Sequence, residues 1–344
     1  MTWHAGSCIG RRMRHHRSMN WSPFTDEAMA DPASGHQYLL DTCPVHCCDG
    51  FDPPFFTLSR YEDVQTALRD IETYSSHFGQ GPRFTEPAGM LCDPPQHTFY
   101  RKILQSWFTP KAVEALREPV TRLTHELVDG ILSGPGEFDA HDDFAFPLPV
   151  TIIADLLGVP KSDLEQFKHW SDIQVAAMGS AKPEQYLPIQ QEFMAYMHSH
   201  LMQRRKQIAD GVSVPEDLLT LLAGARTEEG EFTPEPDSLS VLNQLLVGGN
   251  ETTTSLVTNL IWRLLEVPER WQMIVDDPSL IRSAIEESLR YDPPVLGLYR
   301  NTTREVRLHG EVIPSGSKVF INYAAANRDA SVYPNPDEFD VTRN

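Results

Sequence analysis

Residues 247–255 read VGGNETTTS: a carboxylate at Glu251, preceded by Gly248 and Gly249 and followed by Thr252, Thr253 and Thr254, inside the most apolar part of the chain. A carboxylate beside an apolar stripe needs a hydrogen-bonding partner or water, and a threonine hydroxyl can both donate and accept. Acid next to hydroxyl, on a helix loosened by glycine, is a construction for relaying protons. The structural alternative is that the glycines let a neighbouring helix cross closely while threonine hydroxyls bond back to carbonyls one turn earlier. That alternative leaves Glu251 unexplained.

Three further groups could do chemistry. In DPPQHTFYRKILQSWF, Asp93 can cap a helix with Pro94 in its first turn, which sets His97 and Arg101 at i and i+4 on one face. Two such donors suit an anion, although a solvated face can carry the same pair. In SAIEESLRYDPPV, Glu287 and Arg290 stand at i and i+3, a spacing that many helices carry as a surface ion pair. Arg300 follows in VLGLYRNTTREV, at the start of an expected strand, where a fixed guanidinium can hold a carboxylate bidentately. Cys43, His46, Cys47 and Cys48 in CPVHCC are ligand types for zinc, but the spacing is not a paired C-x-x-C and no second ligand pair follows downstream.

These groups need a helical scaffold, and periodicity supplies one. YEDVQTALRD, AVEALREPVTRLTHELVDGIL, VTIIADLLGV, SDLEQFKHWSDIQVAAM, PEQYLPIQQEFMAYMHSHLMQRRKQIADG and EDLLTLLAG repeat apolar residues every three or four positions. From Asp237 to Val267 the chain runs 31 residues without proline, about 46 Å as an α-helix. Glycines inside it cost about 1 kcal/mol each relative to alanine, so something must compensate. Strands are expected near PPFFTLSR and in REVRLHGEVIPSGSKVFINYA, with turns at His309-Gly310 and Pro314-Ser315-Gly316. The fold class is mainly α with a small β-sheet region.

Composition sets the outer limits. The chain has 344 residues, 40% of them hydrophobic, and no apolar run near the length of a membrane span. Its first 18 residues hold four arginines and no acid, without the apolar segment of a signal peptide. We expect residues 1–18 to be a disordered basic leader ahead of an internal start at Met13 or Met19, and residues 19–344 to form one domain. Without those four charges the net charge goes from −19 to −23, which speaks against nucleic-acid binding. Five cysteines do not suggest a disulfide framework. The expected location is the cytoplasm.

Taken in order, DPPQHTFYRK, VGGNETTTS, EESLRYDPPV and AANRDASVYPNPDEFD resemble the ordered signatures of a bacterial cytochrome P450, a haem-thiolate monooxygenase. CPVH, SRYEDVQTALRD, FTPKAVEALR and IADLLGVP are similar to further phrases of that family, which turns the reading of CPVHCC away from metal binding. The resemblance implies haem b (iron protoporphyrin IX) as cofactor and insertion of one oxygen atom from dioxygen into an apolar small molecule. It implies that Gly248, Gly249, Glu251 and Thr252 form the oxygen-handling segment, with Thr252 holding the oxygen and Glu251 relaying protons. His97 and Arg101 would bond one haem propionate and Arg300 the other. Glu287 and Arg290 would be a buried structural pair. Val247, Val295, Leu296 and the loop from Phe78 to Leu91 would line the substrate pocket. Ferredoxin and its reductase would supply electrons to a monomer, since no flavin or iron–sulfur segment is present.

Two departures qualify that implication. The family's axial cysteine follows the PDEFD region, and here the sequence stops at FDVTRN, with Cys92 as its last cysteine. We therefore expect the ligand cysteine, the last helix and the final strands to lie beyond Asn344, and this chain as given to be inactive. It could instead be a non-catalytic remnant that keeps the fold or binds apolar ligands without haem. A peroxide-using relative is disfavoured by the Glu251-Thr252 pair. Glu338 stands where many family members carry an arginine that joins Glu287 and Arg290.

Overall fold

The computed structural model describes residues 21–179 and 182–343. The basic leader lies outside the described residues. The longer helices, in chain order, are α1 (Pro32–Asp41), α2 (Tyr61–Arg69), α3 (Gln96–Leu104), α4 (Arg117–Leu132), α5 (Pro147–Leu157), α6 (Leu164–Gly179), α7 (Leu187–Ala209), α8 (Leu218–Gly224), α9 (Glu235–Glu266), α10 (Pro268–Asp276) and α11 (Ile281–Tyr291). The strands are β1 (Val45–Cys48), β2 (Phe55–Leu58), β3 (Tyr74–Ser75), β4 (Gly297–Thr302), β5 (Val306–Leu308), β6 (Glu311–Ile313) and β7 (Lys318–Asn322). The fold is mainly α with a small β region, as expected from periodicity. No helix among the described residues is long and apolar enough to cross a membrane.

Among the described residues the chain divides into two compact units, one within residues 21–87 and 280–343, the other within residues 88–279. The first unit holds the sheet, in the order β1-β2-β7-β4-β3, with β2 and β7 parallel and the other neighbours antiparallel. β5 and β6 form a separate hairpin whose turn residues His309 and Gly310 both have positive φ, the geometry a two-residue type I′ turn demands. Val45, Phe56, Leu58, Val319 and Ile321 pack one core of this unit, and Trp21, Leu39, Phe55, Tyr299 and Phe320 another.

The second unit is helical, with a core drawn from α3, α5, α6, α7, α8 and α9 and including Tyr100, Ile153, Phe167, Phe193, Leu222 and Leu246. α9 starts two residues earlier than proline spacing predicts, because Pro236 sits in its first turn, where a missing N–H costs nothing. The single helix expected over 112–132 is broken instead at Leu116. Pro119 explains the break: its ring would clash with the carbonyl four residues back, at Ala115, if the helix were continuous. Asp217 begins α8, its carboxylate accepting the N–H of Thr220 at 2.6 Å.

Candidate functional site

The centre of α9 separates the two glycines by role. A Cβ on Gly249 would lie 2.9 Å from Cγ1 and 3.0 Å from Cδ1 of Ile153, so this glycine admits α5 against α9. A Cβ on Gly248 would meet nothing within 4 Å, and the residue is exposed. The close-crossing explanation therefore accounts for one glycine and leaves the other facing open space. The next residue, Asn250, is fully buried; its Nδ2 donates to Ser171 Oγ of α6 at 2.7 Å, and its Oδ1 accepts from Thr254 Oγ1 at 3.4 Å.

Glu251 is half-buried, and Ser255 Oγ donates to its Oε1 at 3.5 Å. Burial pushes its carboxyl pKa up, the Asp172 carboxylate adds to the rise, and His141 and Ser255 oppose it. Such an acid holds its proton at higher pH than an ordinary glutamate. The hydroxyl of Thr252 donates to the Gly248 carbonyl at 2.8 Å, one turn back along the helix. That bond uses its proton and leaves the oxygen lone pairs to accept from outside. Val247, beside them, is half-buried.

On α3, His97 is half-buried and Arg101 exposed, one turn apart. Among the described residues neither side chain has a hydrogen-bonding or ionic partner, so two cation-capable donors on one face are available to an anion. The cap differs from the expected one. α3 begins at Gln96 after Pro95, with no side-chain cap, and Asp93 contributes its carbonyl, which accepts the His97 N–H at 3.2 Å. A second proline at 95 moves the helix start past the reach of an Asp93 cap.

In the other unit, Glu287 and Arg290 are 2% and 6% exposed, which excludes a surface ion pair. Arg290 donates from Nε and Nη2 to the two carboxylate oxygens (2.7 and 2.8 Å) and from Nη1 and Nη2 to the carbonyls of Asn327, Pro336 and Glu338. All five of its N–H groups are thereby used. Glu287 also accepts from the Asp340 N–H at 2.9 Å and from Arg343 Nε at 3.0 Å. Burial pushes the Glu287 carboxyl up, but Arg290, the Asp340 N–H and Arg343 outweigh it and hold the pKa low. The sequence missed Arg343: Glu338 joins only through its carbonyl, and the second guanidinium comes from five residues on. A pair saturated in this way has nothing left for a ligand.

Arg300 is half-buried on β4 and donates from Nη1 to the carbonyl of its neighbour Tyr299 at 3.0 Å. Val295 is half-buried and Leu296 exposed just before that strand. The VHCC part of CPVHCC forms β1, so successive side chains from Val45 to Cys48 point to opposite faces, while Cys43, ahead of the strand, lies with its Sγ 3.7 Å from His46 Nδ1. His46 Nε2 lies 2.9 Å from the Trp21 carbonyl and Cys48 Sγ 3.5 Å from the same oxygen. Among the described residues the grouping of metal-ligand types is Asp139, His141 and Asp142, on the surface.

Do these residues suit a haem? In the helical unit, the partnerless His97 and Arg101 and the open face at Gly248 are a donor pair and a clearance that fit a flat macrocycle bearing carboxylates; in the other unit by itself, Arg300 is a largely free guanidinium of the kind that holds a carboxylate. A thiolate to iron is not among the fitting features. Burial raises the thiols of Cys43, Cys48 and Cys92, that of Cys48 to about 12, whereas a ligating cysteine sits where its thiolate is favoured.

A family model described as "Cytochrome P450" matches residues 270–343. Cytochrome P450 107B1 of Saccharopolyspora erythraea is 36% identical over 316 residues, which cover 87% of this chain and 75% of the relative. The vitamin D(3) 25-hydroxylase of Pseudonocardia autotrophica is 34% identical, covering 93% and 79%. Among solved structures, a mutant of P450 EryK in complex with erythromycin B superposes with a TM-score of 0.81 at 31% identity, covering 92% of this chain and 80% of that one.

Proposed function

This chain belongs to the cytochrome P450 family of monooxygenases, and on that premise we propose that it oxygenates an apolar small molecule with electrons from a ferredoxin and its reductase. The family's cofactor is haem b, which when bound supplies reductive activation of dioxygen and transfer of one oxygen atom to the substrate. The observation that carries the assignment of the site is the open face at Gly248, about one helical turn before Glu251 and Thr252.

In this reading each residue has a task that its surroundings support. Glu251, held toward its protonated form by burial and Asp172, stores and passes protons. Thr252 offers its oxygen lone pairs outward while its proton rests on the Gly248 carbonyl. His97 and Arg101 bind one propionate and Arg300 the other, as fixed cationic donors. Val247, Val295, Leu296 and the loop from Phe78 to Leu91 line the substrate pocket. Glu287 and Arg290 are scaffold, supported by their saturation with hydrogen bonds. Both units serve one catalytic domain, which the alignment over 87% of the chain supports. The protein acts as a cytoplasmic monomer.

The 344-residue chain binds haem weakly and gives no thiolate-type spectrum, a reading supported by the raised thiols of Cys43, Cys48 and Cys92. Haem titration of the 344-residue chain tests both parts. The Soret band of added haem is expected to shift on binding, and His97→Ala with Arg101→Ala is expected to weaken binding about tenfold. Unchanged affinity would remove the propionate assignment. A carbon monoxide difference band at the haem-thiolate position would overturn the statement about the thiols.

A further inference from the structure

Lys318 is the first residue of β7, pairs with Phe55 and Asn301 across two neighbouring strands, and is 1% exposed. Its ammonium donates to the carbonyls of Phe78 at 2.9 Å and Gly79 at 3.0 Å and lies 5.0 Å from the centre of the Phe84 ring. The segment above it closes on itself: the Thr85 N–H donates to the same Phe78 carbonyl at 3.1 Å, and the Phe78 and Phe84 rings meet edge to face. Gly79 is buried with φ +84, and a Cβ there would meet Thr85 Oγ1. Residues 80–87 have no regular structure, and Arg83–Glu86 are exposed. This is a compact loop set on a buried charge.

The following end of the same segment is held by a charge of opposite sign. Asp237, in the first turn of α9, accepts from the Gly89 N–H at 2.8 Å, from Tyr100 Oη at 2.8 Å and from Gln96 Nε2 at 3.1 Å. Ser240 Oγ donates to the Ala88 carbonyl at 3.1 Å. Gly89 has φ +58, and a Cβ there would lie 2.8 Å from the Asp237 carbonyl oxygen. Each tether acts within its own unit. Burying a lysine ammonium is costly, and burial with Arg300 lowers its pKa to about 8. The sequence keeps the charge all the same, at a strand position where an apolar residue would pack.

We propose that Lys318 and Asp237 are the positioning residues of the loop from Phe78 to Leu91, fixing its two ends, with the Tyr299 N–H holding the Gln80 carbonyl at 3.0 Å, so that only Gly81–Pro87 can adapt to what binds beneath it. This rests on the reading of that loop as lining of the substrate pocket. Charge-assisted bonds suit the task because they are shorter and about twice as strong as neutral ones, and loop ends otherwise open at little cost.

Amide hydrogen exchange of the full 344-residue chain tests it. Lys318→Met keeps the stem and removes the ammonium; exchange at Gly79 and Thr85 should rise about tenfold or more, with Phe320 and Ile321 of β7 unchanged. Asp237→Ala should do the same at Gly89 and Leu91. Trypsin cleavage after exposed Arg83 gives a second measurement, expected to accelerate in Lys318→Met. Unchanged exchange in the loop, or a rise spread evenly over the sheet, overturns the proposal. Titration with 1-anilinonaphthalene-8-sulfonate separates the two readings. A changed affinity in Lys318→Met supports both, whereas local loosening with unchanged affinity leaves the tethers standing and removes the loop from the pocket.

Discussion

Alanine at Gly248 and alanine at Gly249 are the same chemical change one residue apart, yet they should have opposite effects. Replacing glycine by alanine inside a helix stabilises it by about 1 kcal/mol. At Gly248 the new methyl meets nothing within 4 Å, so the full gain of about 1 kcal/mol should appear. At Gly249 it falls 2.9 Å from Ile153 Cγ1 and 3.0 Å from Cδ1, and Ile153 is 6% exposed, with little room to retreat. Overpacking of this kind costs about 1–3 kcal/mol, so the net change runs from neutral to about 2 kcal/mol of destabilisation. Urea unfolding followed by far-ultraviolet circular dichroism measures both. On an Ile153→Ala background the Gly249→Ala penalty should vanish, a coupling of about 1–3 kcal/mol. Haem affinity supplies the opposite ranking: Gly248→Ala should lower it, because the methyl projects into the open face. Equal stabilisation by both substitutions refutes the close crossing of α5 and α9, and unchanged haem affinity in Gly248→Ala refutes the role given to that face.

Glu287→Ala should destabilise the protein by about 3–5 kcal/mol by stranding buried Arg290, measured by urea unfolding; a loss under about 1 kcal/mol would show the network to be slack. Since the Glu287 pKa is held low, the stability it contributes is present above the ordinary carboxylate pKa and lost as pH falls through the folded value. Lys318 has the reverse sign: its folded pKa is about 8 against an ordinary 10.5. The unfolded chain therefore binds more protons between those values and stability rises with pH, by roughly 3 kcal/mol across the window. The charged group that acts on Lys318 is Arg300 on β4, and the lysine ammonium donates to the Phe78 and Gly79 carbonyls. The difference between wild type and Lys318→Met isolates the lysine, and a flat difference from pH 8 to 10.5 refutes the assignment. Asp172→Asn should lower the Glu251 pKa, read by carbon-13 NMR of labelled glutamate; no movement would mean that Asp172 does not act on it.

The helices and the motif order were legible because 3.6-residue periodicity and short ordered phrases are local properties. α9 and the β5–β6 hairpin follow from proline spacing and from His309-Gly310. What escaped depends on partners far along the chain. Lys318 reads as a polar residue at the edge of the apolar VFIN run, and only the sheet shows it buried beneath Phe78 and Gly79. Asp237 reads as one more acid after an acidic loop, yet it gathers three donors from residues 89–100. β1 was hidden because four short residues rich in cysteine and histidine carry little strand signal of their own; pairing with β2 makes them a strand. For the glycines the sequence left two readings open, and the structure gives each reading one residue.

The parallel contact of β2 with β7 joins Phe55 to Lys318, 263 positions later. On a ribosome adding about 5–20 residues per second, the β1–β2 hairpin waits roughly 13 to 50 s for that neighbour. Through that interval one edge of β2, with the apolar side chains of Phe55, Phe56 and Leu58, has no strand to receive it. An unpaired edge of this kind invites the wrong partner. Yield in a host cell should therefore respond to slower growth temperature and to holdase chaperones that cover nascent hairpins, independently of haem supply.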